Sequence, residues 1–289
     1  MKSVKSTLLA GLVMSLASAA FAAPTELWSL DGFMNPESVY SDPARNVMYV
    51  SNVNGTPLDK DGNGFISKIT PDGKMGTLKW IEGLNAPKGM VMNGDKLYVS
   101  DIDNLIEIDP VAGKVVATYP ADGAVFLNDT AVDAAGNVYV SDIAKRKIWQ
   151  LKDGKMTIWY EKDDLMHPNG LRVEGDKLIV AGWGKEMQDD GSTKVAGNLF
   201  TIDLATKELK NLGSGEGVGN LDGLERGANG SFLVTDFLKG ALMRIKEDGT
   251  SEMLLDMNTG SADLEASEDG KTAYVPVMMD NKVIAYTVD

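Results

Sequence analysis

Hydrophobic and polar positions alternate along most of this chain, in short runs separated by Gly, Asn or Asp turns. Six segments share one order of features: a polar or Pro-containing start, an alternating apolar stretch, a turn, and a β-branched or aromatic run. They are NPESVYSDPARNVMYVSN (35–52), NAPKGMVMNGDKLYVSD (85–101), LNDTAVDAAGNVYVSD (127–142), HPNGLRVEGDKLIVAGWG (167–184), LDGLERGANGSFLVTDF (221–237) and ADLEASEDGKTAYVPV (262–277). The period of two and the frequent turns predict short β-strands and exclude helical repeats.

The spacing of these segments predicts how the strands assemble. One valine marks the last run of each segment, and the six are Val50, Val99, Val140, Val180, Val234 and Val275. Successive markers lie 49, 41, 40, 54 and 41 residues apart. A period near 40 residues built from short strands is typical of β-propeller blades. The sequence therefore predicts an all-β fold, a six-bladed β-propeller.

The two ends of the chain are expected to meet in one blade. The last segment is followed only by VIAYTVD (283–289), which leaves no room for an outer strand. TELWSL (25–30) is the simplest source of the missing strand, and it would close the ring and cover an exposed sheet edge. Because no Pro/Ser-rich or charged linker divides the chain, residues 23–289 are expected to form a single propeller domain.

Residues 1–22 resemble a secretory signal peptide. Lys2 and Lys5 precede an apolar run at 8–17, and Ala20-Phe21-Ala22 forms a small-x-small cleavage site. We expect cleavage after Ala22, an exported protein that is periplasmic or secreted, and no membrane association after cleavage. A retained membrane anchor is the alternative, although the apolar run is short for a membrane span.

Composition excludes several chemistries. The 289 residues contain no Cys and a single His, which excludes disulfides, thiolate metal sites and multi-His metal centres. A Ser-His-Asp triad would need His167, and no GxSxG motif accompanies it. The formal charge of −14 disfavours nucleic acid and anionic lipid as partners and favours cations and neutral ligands.

Polar residues recur where each repeat begins, and in a propeller these positions surround the central channel. Counting back from the marker valines predicts one ring made of Glu37, Lys88, Asp129, Asn169, Asp222 and Asp263, with Asn128 one residue before Asp129. Carboxylate and carboxamide oxygens are the ligands that Ca²⁺ prefers. The alternative is that Asp and Asn serve only as turn formers at the strand starts.

Four of these strand starts resemble the motifs of a known family. They are PESV (36–39), LND (127–129), PNGL (168–171) and LDGL (221–224), in this order along the chain. On these motifs the sequence resembles the six-bladed propellers of the family that includes senescence marker protein 30 (regucalcin) and the gluconolactonases. The resemblance extends over essentially the whole of 23–289.

The resemblance implies a site and a reaction. Glu37, Asn169 and Asp222 would hold a divalent cation, for which Ca²⁺ is expected and Zn²⁺ or Mn²⁺ are the alternatives. Asn128 would contact metal-bound water or substrate. The cation would polarise the carbonyl of a lactone or related ester, with Asp222 as general base or nucleophile. The expected substrate is a small neutral or sugar-like lactone.

Other functions remain open at this point. A non-catalytic periplasmic propeller could bind a small ligand or a protein partner and use the metal only for structure, and Lys88 in the ring favours this alternative. A strictosidine-synthase-like relative is a third hypothesis, but that branch lacks the complete carboxylate and Asn set.

Three further side chains are candidates near the channel mouth. Lys88 could bind a substrate carboxylate, or it could lie solvated at the rim. Trp183 could stack on a sugar-like ring, or it could pack the long insertion at 181–192. His167 could carry protons, or its position beside Pro168 could be incidental.

A second calcium site is a further hypothesis. In DKDGNGFISKIT (59–70), Asp59, Asp61 and Asn63 occupy the first ligand positions of a calcium-binding loop. Thr70 stands where the loop would require a bidentate Glu. A Gly-rich hairpin loop without a cation is the alternative.

Overall fold

The computed structural model describes residues 23–162 and 165–288. The predicted signal peptide, 1–22, lies outside the described residues, so export stays a prediction. The described residues form no α-helix, and accordingly no helix among them could span a bilayer.

The described residues contain twenty-six strands and two 3-10 turns, Ala228–Gly230 and Met278–Asp280. The chain starts with β1 (Thr25–Asp31). The first blade has β2 (Pro36–Asp42), β3 (Val47–Asn52), β4 (Gly64–Ile69) and β5 (Met75–Leu84). The second has β6 (Pro87–Asn93), β7 (Lys96–Asp101), β8 (Asn104–Asp109) and β9 (Lys114–Pro120). The third has β10 (Leu127–Val132), β11 (Val138–Asp142), β12 (Lys147–Lys152) and β13 (Lys155–Glu161).

The remaining strands form three more blades and one inserted hairpin. The fourth blade starts with β14 (Pro168–Glu174) and β15 (Lys177–Gly182), continues through the hairpin β16 (Gly184–Met187) and β17 (Thr193–Ala196), and ends with β18 (Leu199–Asp203) and β19 (Leu209–Asn211). The fifth has β20 (Leu221–Arg226), β21 (Phe232–Asp236), β22 (Ala241–Ile245) and β23 (Ser251–Asp256). The sixth has β24 (Glu265–Ala266), β25 (Thr272–Val277) and β26 (Lys282–Thr287).

Each blade is a four-stranded antiparallel sheet, and its first strand is innermost because the first strands of neighbouring blades contact one another. The sixth sheet takes its outer strand from the chain start: β1 pairs antiparallel with β26, from Thr25 opposite Thr287 to Asp31 opposite Lys282. The six-bladed propeller and its closure by 25–30 are therefore confirmed.

The burial of the strands follows from this stacking of blades. The second strand of each blade is covered on both faces, and the whole of β11 (VYVSD) is buried. The outer strands are half exposed, as in β9, where exposed and partly buried residues alternate. The hydrophobic core therefore lies between adjacent blades, where Tyr49 and Ile66 of the first meet Leu97 and Val99 of the second.

Three glycines allow the innermost strands to approach one another. A Cβ atom on Gly170 would lie 2.3 Å from the Asp222 carbonyl oxygen, and one on Gly223 would lie 2.4 Å from the Leu264 amide nitrogen. A Cβ on Gly89 would lie 2.5 Å from the Asp129 Cα. These contacts involve backbone atoms, which cannot rotate away as a side chain can, so the narrow channel requires glycine at these positions.

Replacing Gly170 with alanine should therefore strain the junction between the fourth and fifth blades. We expect a loss of about 1–3 kcal/mol in the free energy of unfolding, measured by urea denaturation. Gly76→Ala is a matched control, because its Cβ would lie 3.1 Å from the nearest atom, the Lys68 carbonyl oxygen, on an exposed strand. Equal stability of the two variants would contradict the close-packing argument.

Candidate functional site

The innermost strands of five blades start with the same irregularity in strand pairing. In the first blade Pro36 pairs with Asn52 and Val39 pairs with Val50, so the inner strand has one extra residue. The first strands of blades two to five show the same shift. Such bulges redirect side chains. In each of these strands the residue directly after the first paired residue lies in the bulge. These residues are Glu37, Lys88, Asn128, Asn169 and Asp222.

This register corrects the predicted ring at two positions. Asn128, and not Asp129, is equivalent to Glu37, because Leu127 pairs with Asp142 and Thr130 with Val140. In the sixth blade Ser261 pairs with Val277, which makes Ala262 the equivalent residue and places Asp263 one position further on. Counting back from the valines was wrong here because the turn between the first and second strands differs in length among the blades.

Asp129 and Asp263 form a second layer that links neighbouring inner strands. The Asp129 Oδ2 accepts a 2.6 Å hydrogen bond from the Leu171 amide of the fourth blade. The Asp263 Oδ2 accepts one of 2.6 Å from the Ser38 hydroxyl, and the Asp263 amide donates to the Glu37 carbonyl at 2.9 Å. The sequence analysis did not predict this linking role. A signal was nevertheless present, because the equivalent positions 89, 170 and 223 are glycine, whereas Asp129 and Asp263 have larger, charged side chains.

The four residues named by the family motifs share an unusual property. Glu37, Asn128, Asn169 and Asp222 are all buried, and each has a buried side-chain oxygen without a hydrogen-bond partner among the described residues. The atoms are Glu37 Oε2, Asn128 Oδ1, Asn169 Oδ1 and Asp222 Oδ1. Buried polar atoms are almost always paired in folded proteins, and an unpaired one is costly. Four such oxygens at one end of the channel are therefore suited to an electropositive ligand.

The electrostatics of the site indicate the same need. Burial raises the pKa of Glu37 well above its usual value, and Asp222 and Asp263 raise it further. Burial also raises the pKa of Asp222, again with a contribution from Asp263. The Asn169 carboxamide approaches the Asp222 carboxylate without completing a hydrogen bond and lowers this pKa only in part. In the second layer, burial raises the pKa of Asp263 to about 7.

Lys88 does not lie solvated at the channel rim, which was one of the two interpretations of the sequence. Its side chain is buried, and its ammonium donates to the carbonyl oxygens of Ala86 at 2.7 Å and Pro57 at 3.1 Å. It also lies 5.0 Å from the centre of the Phe126 ring. Burial lowers the pKa of Lys88 to about 8, although Glu37 counteracts the effect. A buried cation therefore occupies the ring position between Glu37 and Asn128.

Apolar residues cover the polar ring at the same end of the channel. Three residues after each marker valine the chain places a large apolar side chain: Val53, Ile102, Ile143, Trp183, Phe237 and Met278. Val53, Ile102 and Met278 form one buried cluster with Ala86 and Ala262, against which Phe237 packs. This cover was missed in the sequence, although its regular spacing was visible. The ring residues are almost completely buried, and burial strengthens electrostatic interactions among them.

Trp183 belongs to this cover and holds the inserted hairpin. Its indole N–H donates to the Gly191 carbonyl at 2.8 Å, and its ring lies 5.8 Å from that of Phe237. Only 8% of the residue is exposed. This geometry favours the packing interpretation over stacking on a substrate.

The predicted calcium loop is an exposed connection between β3 and β4. The Asp61 carboxylate accepts hydrogen bonds from the Asn63 amide at 3.2 Å and from its side chain at 2.5 Å. Lys60, next to Asp59, forms an ion pair with Asp103. The loop is thus closed by its own polar contacts, which favours the hairpin interpretation, and calcium binding by Asp59, Asp61 and Asn63 stays a prediction.

His167 precedes the start of β14 and has a left-handed backbone, with φ of 48°. Its Nδ1 donates to the Ile143 carbonyl at 2.8 Å. Burial lowers the pKa of this imidazole, so it is predominantly neutral near pH 7. Its hydrogen bond joins the third and fourth blades at the channel mouth.

The donor set suits a hard cation of the calcium type. Among residues 23–162 and 165–288 there is no group of three or more His, Cys, Asp or Glu side chains placed to hold a metal. The ring instead combines two carboxylates with two carboxamide oxygens. Ca²⁺ accepts such mixed oxygen ligands, whereas Zn²⁺ prefers nitrogen and sulfur. The unpaired oxygens therefore fit the implied cation.

Comparison with known proteins defines the fold and leaves the function open. No family model matches the sequence, and no curated protein matches it. A gluconolactonase from Xanthomonas campestris has 15% identity and a TM-score of 0.68, with 92% of this chain and 89% of that chain covered. A virginiamycin B lyase from Staphylococcus aureus has 13% identity and a TM-score of 0.61, with 93% and 100% covered.

A third similar structure is a chain of the nidogen–laminin complex, with 16% identity and a TM-score of 0.58 over 77% of this chain and 86% of that chain. The three proteins differ in function while sharing the propeller fold. The fold expected from the family resemblance is thus confirmed, and the function must be argued from the site.

Proposed function

We propose that this chain is a divalent-metal-dependent hydrolase of the lactonase type. The observation that carries the proposal is the set of four unpaired buried oxygens on Glu37, Asn128, Asn169 and Asp222. The fold shared with a gluconolactonase supports it at low identity. Calcium is the proposed cation, and manganese and zinc are alternatives that the experiment below compares.

Glu37, Asn169 and Asp222 would hold the cation. Two ionised carboxylates balance its charge, and the Asn169 oxygen adds a neutral ligand. The cation would serve as a Lewis acid towards the carbonyl oxygen of a lactone or ester. In its absence, burial and Asp263 favour the protonated form of Asp222, so the same positive charge would also keep this carboxylate ionised.

Asp222 is the proposed general base. Its Oδ1 has no hydrogen-bond partner among residues 23–162 and 165–288, and it could accept a proton from an attacking water or, in the alternative, attack the carbonyl as a nucleophile. Asn128, on the other side of Asn169 in the ring, would orient the water or the substrate carbonyl. The apolar cover limits the number of water molecules near these groups, which favours a defined attack geometry.

Lys88 would contribute to substrate binding from the adjacent ring position. An ammonium has three donors, and two of them are engaged by the backbone carbonyls of Ala86 and Pro57. The third is available to a substrate oxygen. Together with the chain's net negative charge, this favours a small neutral or sugar-like lactone that presents hydrogen-bond acceptors.

One observation favours the alternative, a non-catalytic propeller that binds a small ligand or a protein. The apolar cover leaves the ring residues only 1–5% exposed, so a substrate must displace part of it. The similarity to a chain from the nidogen–laminin complex shows that this fold also occurs in a protein complex without the lactonase description.

The test is a cation titration coupled to a hydrolysis screen. The mature protein, starting at Ala23, is treated with chelator and then titrated with Ca²⁺, Mn²⁺ or Zn²⁺ while bound metal and hydrolysis of a lactone panel are measured. We expect one cation per chain and turnover that depends on it. Bound cation without turnover would support the binding protein, and no binding at all would contradict the metal site.

A further inference from the structure

A cavity opens where the inner strands of the propeller end, beyond the candidate site. It has a volume of about 450 Å³ and is lined by residues from all six blades. None of the five ring residues contributes to its wall. The inner strands run from the ring to this cavity, and Asp129 and Asp263 line the wall nearest the ring. Glu225 and Glu265 lie three residues beyond ring positions, which is about 10 Å at a rise of about 3.3 Å per residue. Its volume lies within the range of small-molecule sites.

The cavity has an apolar side and a charged side. Met90, Val91, Ala131 and Val132, from the second and third blades, line the mainly apolar side, to which Asp129 and Thr130 also belong. Arg172, Glu225, Arg226 and Glu265, from the fourth to sixth blades, line the charged side. Such a division suits a ligand that carries an apolar group and a polar or charged head.

The two guanidinium groups of the charged side are already paired. Glu174 lies between them and accepts from the Arg172 Nε at 2.9 Å and from the Arg226 Nε at 2.9 Å. Arg172 also forms an ion pair with Glu225. The positive charges of the wall are therefore neutralised by neighbouring carboxylates, which makes the cavity a poor site for an anion.

Glu265 differs from these carboxylates because no Lys or Arg in the described part of the chain forms a direct ion pair with it, and Arg172 acts on it only at longer range. Its Oε2 accepts from the Ser41 amide at 2.9 Å and its Oε1 from the Ala266 amide at 3.0 Å. Burial raises the pKa of Glu265, and the nearby Glu225 and Asp263 raise it further. A carboxylate in this environment is stabilised either by protonation or by a bound cation.

A second feature of the wall also lacks a partner. Thr130 lines the cavity, is buried, and has a hydroxyl oxygen without a hydrogen-bond partner among the described residues. An unpaired buried hydroxyl is costly, and a ligand with a polar group would satisfy it.

We propose that this cavity binds a small organic cation, a protonated primary amine that carries an apolar group. The ammonium would bind the Glu265 carboxylate, and the apolar group would contact the side formed by Val91 and Val132. A bare metal ion would leave most of a 450 Å³ cavity, and all of its apolar side, without a contact. The proposal is independent of the reaction at the ring.

Phenethylamine is a suitable probe, and 2-phenylethanol and 3-phenylpropionate are its neutral and anionic counterparts. We expect calorimetry with the mature protein to show binding of the amine only. Glu265→Gln should weaken binding by about tenfold or more, because a charge-assisted contact is lost. Val132→Phe, which fills the apolar side, should weaken it independently of any charge change.

Two controls locate the binding. Glu208 is an exposed carboxylate in the connection between β18 and β19. The Glu208→Gln variant should bind the amine as the unmodified protein does. Excess Ca²⁺ should leave amine binding unchanged, whereas competition would show that the amine occupies the ring. The proposal is overturned if the amine does not bind, if 2-phenylethanol binds equally well, or if both Glu265→Gln and Val132→Phe retain full affinity.

Discussion

Replacing Asp222 with asparagine should reduce lactone hydrolysis by about two to four orders of magnitude, the usual contribution of a general base. Asparagine keeps the shape of the side chain but cannot accept the proton of an attacking water at Oδ1. It also removes one of the two negative charges that would balance the cation, so calcium affinity should fall as well.

The same substitution should have the opposite effect on stability without metal. Asp222 is buried, and its charge raises the pKa of the buried Glu37, while Asp263 raises the pKa of both groups. Removing one of them relieves repulsion, so the chelator-treated variant should melt a few degrees higher than the unmodified protein, with about 2–4 °C expected per kcal/mol for a chain of this size. Gain of stability with loss of activity is typical of a functional site rather than of a structural one.

Asp248→Asn is the matched control, because Asp248 lies in an exposed turn and its carboxylate accepts hydrogen bonds from Thr250, two residues further along. Its activity and melting temperature should match those of the unmodified protein. Full activity of Asp222→Asn would remove Asp222 from the mechanism, and a lower melting temperature without metal would contradict the proposed repulsion.

The pH dependence of stability should be unusual in the metal-free protein. Carboxyl groups whose pKa is raised by folding bind protons more tightly in the folded state, so they stabilise it at low pH and lose this contribution as the pH rises. Asp263, with a pKa of about 7, defines the window: its contribution is complete below about pH 4 and is lost as the pH rises through 7. Glu37, Asp222 and Asp129 act in the same direction.

Other carboxylates set the lower limit of this behaviour. Although burial opposes the effect, Arg226 and Arg172 hold the pKa of Glu174 below its usual value. Its contribution to stability is present above about pH 4 and is lost as the pH falls. The chelator-treated protein should therefore be most stable near pH 4–5 and should melt progressively lower towards pH 8.

Saturating calcium should reverse this trend above pH 5, since the cation binds the ionised carboxylates of the folded state and stabilises it by mass action. Thermal melts from pH 4 to 8, with chelator or with calcium, measure both effects. A melting temperature that rises from pH 5 to 8 in chelator, or one that calcium does not change at pH 8, would show that the ring does not behave as an unbalanced carboxylate cluster.

Much of the candidate site could be predicted from the sequence because four motifs mark the starts of four inner strands. Glu37, Asn128, Asn169 and Asp222 occupy equivalent bulge positions, as the motifs had indicated. The equivalence of Asp129 and Asp263 was misjudged, because a bulge and turns of variable length prevent counting of residues from one strand to the next. The burial of Lys88 was also not predictable, since Pro57, which accepts its hydrogen bond, lies 31 residues earlier in a loop.

The sequence alone determined the number of blades, the closure of the last blade by the first strand, and the residue types at the channel. These properties depend on the alternation of apolar and polar residues, on turn residues and on repeat spacing, all of which are visible in the linear sequence. Only the tertiary structure decided which oxygens lack partners, which carboxylates link blades, and that Glu265 lines a cavity without a direct ion-pair partner in the described part of the chain. Those properties depend on contacts between residues from different blades, and their energies follow from burial, which no local pattern specifies.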